Sequence, residues 1–373
     1  MKKEFYLDNA STTRVDERVL KEMQRYFLED YGNPSSSHKL GEEARREIDK
    51  ARKIIAKEIN AKPWEIYFTS GGTEGNNIAL QGLAKAFPYK KKIIISSLEH
   101  PSITEICNYF ETQGYKIVKI PVDAQGHVRI DAIEREIDKD TLLVSVMHVN
   151  NVFGVIQDIE KIGNICRNKG TIFHTDAVQS FGKIAIDSTR GIDMLTASGH
   201  KINGPKGIGI LYVKEGVQIK PLAYGGGQEK GIRSGTENVP GIMGFAKAIE
   251  IGKKVNREKI KKVRDKFIEE LQRIGGKING SMQDRIYNNI HVSFTLVDAE
   301  VLVQWLSKKG IYVSAGSACD SKKGKEDESL RAIGLTQIES KGSIRITINE
   351  YIEEKGVKFI VKEIEKAVKK LKV

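Results

Sequence analysis

No stretch of this 373-residue chain approaches the ~18 consecutive apolar residues that a membrane-spanning helix needs. The first residues, Met1-Lys2-Lys3-Glu4-Phe5-Tyr6-Leu7-Asp8, include lysines but no apolar core. No signal peptide is therefore expected, and the chain reads as a soluble cytoplasmic protein. Cysteine is scarce: the chain has 3, which make no even disulfide framework and point to a reducing compartment. Internal repeats and low-complexity segments are also lacking. With 39% hydrophobic and 29% charged residues, disorder, collagen-like repeats and coiled coil are excluded as the main architecture. At ~150 residues per domain the length suggests about two domains.

What the chain does have is basic charge: 61 Lys and Arg against 49 Asp and Glu, a formal +12. The lysines concentrate on segments with helical apolar spacing, Lys247 to Lys266 and Lys355 to Lys372. Glu250, Glu258, Asp265, Glu269, Glu270, Glu363 and Glu365 are interleaved among them. That is the pattern of a solvated helix face, so direct nucleic-acid binding is not expected; a basic dock for an acidic partner or a tRNA is the alternative. Cys107 lies on an apolar helical face with Ile103, Ile106 and Phe110, and Cys166 lies with Ile159, Ile162 and Ile165. Both read as small buried hydrophobes. Cys319 differs, in the small polar loop Ser314-Ala-Gly-Ser-Ala-Cys319-Asp-Ser-Lys-Lys-Gly-Lys, and reads as an exposed, reactive thiol.

From about Pro63 to Val213 short apolar runs alternate with helical patterns. Strands are expected at Ile66–Thr69, Ile93–Ser96, Tyr115–Ile120, Leu142–Met147, Thr171–Thr175, Met194–Ala197 and Ile208–Val213. Helices are expected from Thr73, from Pro101 and over Asp158–Asn168. This alternation means βαβ units and a mainly parallel sheet covered on both faces. After Pro240 a basic helical stretch runs towards Ile274, with a break near Lys253 to Asn256. A strand at Asn289–Phe294, a helix over Asp298–Lys308, a strand at Ile311–Ser314, a strand at Ser343–Ile348 and a terminal helix follow. The reading is a large α/β domain over residues 15–252 and a smaller α+β domain made of residues 1–14 and 253–373.

In open α/β sheets ligands sit at the carboxyl ends of the strands. The first strand is followed by Thr69-Ser-Gly-Gly72-Thr73-Glu74, the next by Glu99-His100-Pro101-Ser102, the fourth by His148, Asn150 and Asn151. Thr175-Asp176-Ala-Val-Gln179-Ser180 and Ser198-Gly-His200-Lys201 close the series. Each has an ordinary reading: an N-cap turn, a surface histidine, a capping aspartate. The glycine turn is neither GxGxxG nor a P-loop, which argues against a dinucleotide. Together, five strand ends with polar groups suit one ligand having a phosphate, a ring face and a ring nitrogen. Pyridoxal phosphate is such a ligand. It needs a lysine for the Schiff base (Lys201), a carboxylate at the pyridinium nitrogen (Asp176), a stacking partner (His100) and a phosphate cradle (Thr73, Ser198, His200). No metal site is expected.

The chain resembles the pyridoxal-phosphate-dependent cysteine desulfurases of the NifS/IscS type, in the class V aminotransferase family. The matching motifs are Tyr6-Leu-Asp-Asn-Ala10, Gly32-Asn-Pro-Ser-Ser36, Thr69-Ser-Gly-Gly-Thr-Glu74, Glu99-His100, His148-Val-Asn-Asn151 and Asp176-Ala-Val-Gln179. They continue through Ser198-Gly-His-Lys201, Gly225-Gly-Gly-Gln-Glu-Lys-Gly-Ile-Arg-Ser-Gly-Thr236, Gly316-Ser-Ala-Cys319 and Ser343-Ile-Arg345. The resemblance implies fold type I of the pyridoxal-phosphate enzymes: a mainly parallel seven-stranded sheet in the large, cofactor-binding domain, and a small α+β domain carrying the active-site cysteine loop. It implies that Lys201 forms the Schiff base, that Asp176 partners the ring nitrogen, and that His100 stacks on the ring and carries protons. Gly72, Thr73, Ser198 and His200 would form the phosphate cradle, with Thr236 contributed by the other subunit of a homodimer. Asn151 and Gln179 would contact the ring and its phenolic oxygen, Arg345 with Asn33 would clamp the carboxylate of L-cysteine, and Cys319 would receive the sulfur.

The implied products are L-alanine and a persulfide on Cys319, passed to an acceptor such as an iron–sulfur scaffold or a sulfur carrier, for cluster assembly or tRNA thiolation. A selenocysteine lyase or another class V enzyme is the rival within the fold. A scaffold- or RNA-binding protein that retains the fold is the rival outside enzymology. The chain departs from the family pattern at Val152, where many relatives carry glutamate, and at Gly72, where alanine is common. It also has an unusually charged stretch from Lys322 to Glu328 and ends at Val373, where some relatives have a longer tail.

Overall fold

The computed structural model describes residues 4–316 and 328–371. In chain order the strands are β1 (Phe5–Tyr6), β2 (Ile66–Thr69), β3 (Lys92–Ser96), β4 (Lys116–Ile120), β5 (Thr141–Ser145), β6 (Ile172–Asp176), β7 (Met194–Ser198) and β8 (Gly209–Val213). They continue with β9 (Lys277–Ile278), β10 (Asn289–Ser293), β11 (Ile311–Tyr312), β12 (Ser314–Ala315) and β13 (Ser343–Thr347). Seven of them form one sheet in the order β2-β8-β7-β6-β5-β3-β4. The pairs from β7 through β6, β5 and β3 to β4 are parallel, and only β8 runs against its neighbours. The mainly parallel seven-stranded sheet expected from the sequence is present.

Alternate residues of these strands enter two different cores. Ile94, Val144, Leu195 and Ile210 pack on one face against the helices Glu17–Leu28, Lys39–Glu58, Ile159–Asn168 and Val239–Gly252. Ile93, Ile95, Leu143, Met194 and Leu211 pack on the other against Gly72–Ala86 and Pro101–Thr112. Period-two alternation with both faces apolar is what a parallel sheet covered on both sides requires. Cys107 and Cys166 are buried in these cores, and burial pushes both thiols up to about 12. The helices Glu17–Leu28 and Lys39–Glu58 precede the first expected strand; the second buries Ala44, Ile48, Ala51 and Ile55, a 3–4-residue stripe.

The chain after Gly252 breaks at Lys253–Asn256, as its sequence suggested, and restarts at Asn256, whose side chain caps the helix Arg257–Arg273. A four-stranded sheet in the order β12-β13-β10-β9 lies against this helix and Glu354–Leu371, with a core of its own that includes Phe267, Ile290, Ile344 and Ile360. Phe5 and Leu7 belong to that core. The run expected as one strand at 311–314 divides instead. Its first half pairs in parallel with β1, and its second half pairs antiparallel with β13. One short apolar run serving two sheets leaves no periodic trace in the sequence.

Candidate active site

The carboxyl ends of β2, β3, β5, β6 and β7 surround a cleft of about 440 Å³, closed on one side by residues 10–11, Gly316 and Arg345. Gly72, Thr73, His100, Asn151, Asp176, Gln179, Ser198, His200, Lys201 and Arg345 all line it. Thr236 and Asn33 are exposed and lie outside it, and Cys319 falls outside the described residues.

Asp176 ends β6 and is buried. Its Oδ1 accepts the Val178 N–H at 2.9 Å and its Oδ2 accepts the Asn76 amide at 2.8 Å. The same Asn76 nitrogen donates to Ser102 Oγ at 2.8 Å, and Ser102 Oγ lies 2.8 Å from His100 Nδ1. His100 Nδ1 also accepts the Ser102 backbone N–H at 3.1 Å, so it caps the helix Pro101–Thr112 while lining the cleft. With Nδ1 an acceptor, the neutral ring carries its proton on Nε2. Burial lowers the His100 pKa, the Asp176 charge opposes that, and the Lys201 charge adds to it.

Sequence reasoning missed Asn76, although it stands one helical turn after Thr73 on the helix that starts the glycine turn. It also missed the chemistry of Glu99, noted only as a neighbour of His100. Glu99 Oε1 accepts Ser96 Oγ at 2.5 Å and the Met147 N–H at 2.8 Å, while Oε2 has no hydrogen-bond partner among the described residues. Burial pushes its carboxyl up to about 8, and Asp176 adds to the rise. Of the polar residues after β5, Asn151 lines the cleft, whereas Asn150 turns inward to accept the N–H groups of Val152 and Phe153. His148 is buried, and burial lowers its imidazole to about 4.

The residues expected to cradle a phosphate include a helix start. Gly72 and Thr73 open Gly72–Ala86, whose free N–H groups and dipole favour an anion. Ser198 and His200 line the same cleft, and the His200 ring is lowered to about 4 by burial and by the charges of Lys201, Lys206 and Lys183. Gly72 has a local reason: a Cβ there would lie 2.7 Å from Val178 Cγ2. Lys201 Nζ donates to the Ala10 and Ser11 carbonyls at 2.6 and 2.8 Å, and Gln179 Nε2 donates to Ala10 O at 2.9 Å. Arg345 reaches over from β13, giving Nη1 to Asn151 O at 3.0 Å and Nη2 to Asp8 Oδ1 at 2.8 Å and Ser11 Oγ at 2.6 Å. Its Nε is buried without a partner among the described residues.

The aminotransferase class-V family profile matches residues 5–360. The chain is 41% identical over 381 residues to Cysteine desulfurase IscS of Dictyoglomus turgidum, which takes in 100% of this chain and 96% of that one. Among solved structures, a NifS-like protein is similar with a TM-score of 0.94 and 39% identity, over 99% of this chain and 100% of that one. SspA, solved in complex with cysteine, is similar with a TM-score of 0.85 and 34% identity, over 94% of this chain and 100% of that one.

Two outcomes follow from this geometry. Glu99 has a folded pKa above its ordinary value, so the stability it contributes is whole below that value and is lost as pH rises through about 8. Denaturant midpoints measured from pH 5 to 9 should fall for the wild type, and Glu99→Gln should flatten that fall; an unchanged slope in the variant would refute the assignment. Gly72→Ala should cost about 1–3 kcal/mol of stability through overpacking against Val178. Adding Val178→Ala should recover most of the loss, as equilibrium unfolding of the cofactor-free protein would show.

Proposed function

The chain belongs to the aminotransferase class-V family, and we propose that its cleft performs cysteine desulfurase chemistry with pyridoxal 5'-phosphate as cofactor. The enzyme takes sulfur from L-cysteine. The residues fit the cofactor: Asp176 is a buried carboxylate held by an amide and a backbone N–H, with no cation bonded to it among the described residues. It suits a protonated ring nitrogen. The helix start at Gly72–Thr73, with Ser198 and His200, suits a phosphate, and Lys201 suits the covalent link. His100 would lie on the ring, and Asn151 and Gln179 beside it. When bound, the cofactor supplies an electron sink for the substrate carbon that loses its proton.

The chain's own residues do the rest. Arg345 holds the substrate carboxylate, for which its unpartnered Nε is a ready donor, and Asn33 is the second residue that the family resemblance assigns there. Lys201 Nζ takes the α-proton, and Asp176 keeps the ring nitrogen protonated. His100, fixed at Nδ1, holds its proton on Nε2 as an acid of the site. The Cys319 thiolate attacks the substrate sulfur: an S–S bond forms, the C–S bond breaks, and its electron pair stays with carbon, which takes a proton. L-alanine leaves, and the persulfide on Cys319 passes to an iron–sulfur scaffold or a sulfur-carrier protein. Gly316, three residues before Cys319, lines the cleft, which supports this role.

The observation that carries this reading is the meeting of Lys201, Asp176 and His100 on one cleft beside an anion cradle. It is tested by incubating the wild type and Cys319→Ala with L-cysteine and following L-alanine and protein-bound persulfide. The wild type should make both, and the variant should bind cofactor and lose at least a hundredfold of the alanine rate, about 2.7 kcal/mol of barrier. Alanine release at the wild-type rate would remove Cys319 from the mechanism.

We also propose a homodimer in which the partner's Gly225–Thr236 segment completes the cradle. Thr236 is exposed and away from its own cleft, and Leu20, Phe27, Leu28 and Tyr31 form an exposed apolar strip. Sedimentation at twice the chain mass is expected, with Leu28→Glu sedimenting as a monomer; a monomeric wild type would sink the dimer.

A further inference from the structure

Arg233 lies in Gly225-Gly-Gly-Gln-Glu-Lys-Gly-Ile-Arg233-Ser-Gly-Thr236, and the reaction above does not use it. This segment is pinned to its own chain beside β2. The buried Glu229 carboxylate takes the Arg52 guanidinium through both oxygens, at 2.7 and 2.9 Å, and accepts the Phe68 N–H at 2.8 Å. Lys230 Nζ donates to Trp64 O at 2.7 Å. Glu229 and Lys230 have φ of 47° and 55°, a left-handed pair of non-glycine residues that these contacts hold in place. Gln228 Oε1 accepts the Gly235 N–H at 2.8 Å, closing a turn that carries Arg233. From that turn Arg233 Nε donates to Glu74 Oε1 at 3.1 Å.

Glu74 stands in the first turn of the helix Gly72–Ala86. Its other oxygen accepts the Ser70 N–H, so the carboxylate folds back over the start of that helix. The N-cap is Gly71, which has no side chain to satisfy the free N–H groups and leaves them to a ligand. A carboxylate in a first turn suits the helix dipole but repels an anion brought to the same end. Among the described residues, Arg233 is the one cation bonded to Glu74. Each side chain of the pair is 29% exposed, so solvent screens the two charges only in part.

We propose that Arg233 is a positioning residue for the cofactor's phosphate: its guanidinium holds and neutralises Glu74, so the helix start at Gly72–Thr73 meets a phosphate with free N–H groups and no net negative charge. This rests on the reading above, in which the cleft takes pyridoxal 5'-phosphate with its phosphate at that helix start. The sign follows from the charges. Removing Arg233 leaves a bare carboxylate within a turn of the phosphate. Removing Glu74 as well leaves neither charge, and removing Glu74 alone leaves a cation, which a phosphate favours.

The test uses the full chain freed of cofactor, titrated with pyridoxal 5'-phosphate and separately with pyridoxal, which lacks the phosphate, with binding read by absorbance. Arg233→Gln should raise the dissociation constant for pyridoxal 5'-phosphate about three- to tenfold and leave that for pyridoxal unchanged. Arg233→Lys keeps the charge and should stay close to wild type. Glu74→Gln keeps an oxygen for the Ser70 N–H; added to Arg233→Gln it should restore most of the loss. On its own it should bind pyridoxal 5'-phosphate at least as tightly as the wild type, a result that needs no folded Arg233→Gln protein. Equal losses on both probes, or a loss that persists in the double variant, would mean that Arg233 only holds the Gly225–Thr236 segment, and would overturn the proposal. Wild-type affinity in Arg233→Gln, or weaker binding of pyridoxal 5'-phosphate by Glu74→Gln alone, would overturn it too. All of these leave the cofactor reading standing. That reading fails separately, if the wild type binds pyridoxal 5'-phosphate no more tightly than pyridoxal.

Discussion

Burying the Asp176 carboxylate with no cation bonded to it among the described residues is the constraint on which the cleft depends. Its oxygens are met by dipoles instead, the Val178 N–H and the Asn76 amide. Asn76 uses its other hydrogen on Ser102, and Ser102 sets the tautomer of His100. A carboxylate and an imidazole on different strand ends are therefore held by one amide. That amide sits on the helix whose first turn opens onto the cleft, so helix start and carboxylate are positioned by a single rigid element. The helix comes close to the sheet because Gly75 has no side chain: a Cβ there would lie 2.6 Å from Thr196 Cγ2.

Desolvation then drives several titratable groups in and near the cleft towards neutrality. Glu99 is pushed up, and His100, His148, His200 and Lys183 are pushed down, with burial the largest cause in each. In such surroundings each charge that remains acts with little screening. A site of this kind can hold an anionic ligand firmly and still keep its acids and amines ready to exchange protons near neutral pH.

Residues 4–13 tie the two sheets to this chemistry. Phe5 and Tyr6 pair with β11, and Asn9 Nδ2 donates to Thr347 O at 2.7 Å, on the side of the second sheet. The Ala10 and Ser11 carbonyls receive Lys201, and Thr13 Oγ1 donates to His200 O at 2.9 Å, on the side of the first. Asp8 pairs with Arg345. A segment with only two strand residues of its own thus brings Arg345 of the second sheet and Lys201 of the first to the same residue, Ser11.

The sequence by itself determined the strand–helix alternation, the order of polar residues at the strand ends and the burial of Cys107 and Cys166, because these depend on local periodicity and on which side chains water rejects. It named Lys201, Asp176 and His100 because strand ends in a parallel sheet must converge, and Arg345 only through the family resemblance. It could not show that Asn76 bridges Asp176 and Ser102, that Asp8 faces Arg345, or that Lys183 stands behind Gln179, for those contacts join residues 26 to 337 positions apart or depend on which way a turn faces. Nor could it divide residues 311–315 between two sheets. Hydrogen bonds and desolvation are properties of neighbours in space, and only the packed chain decides which neighbours a buried polar group receives.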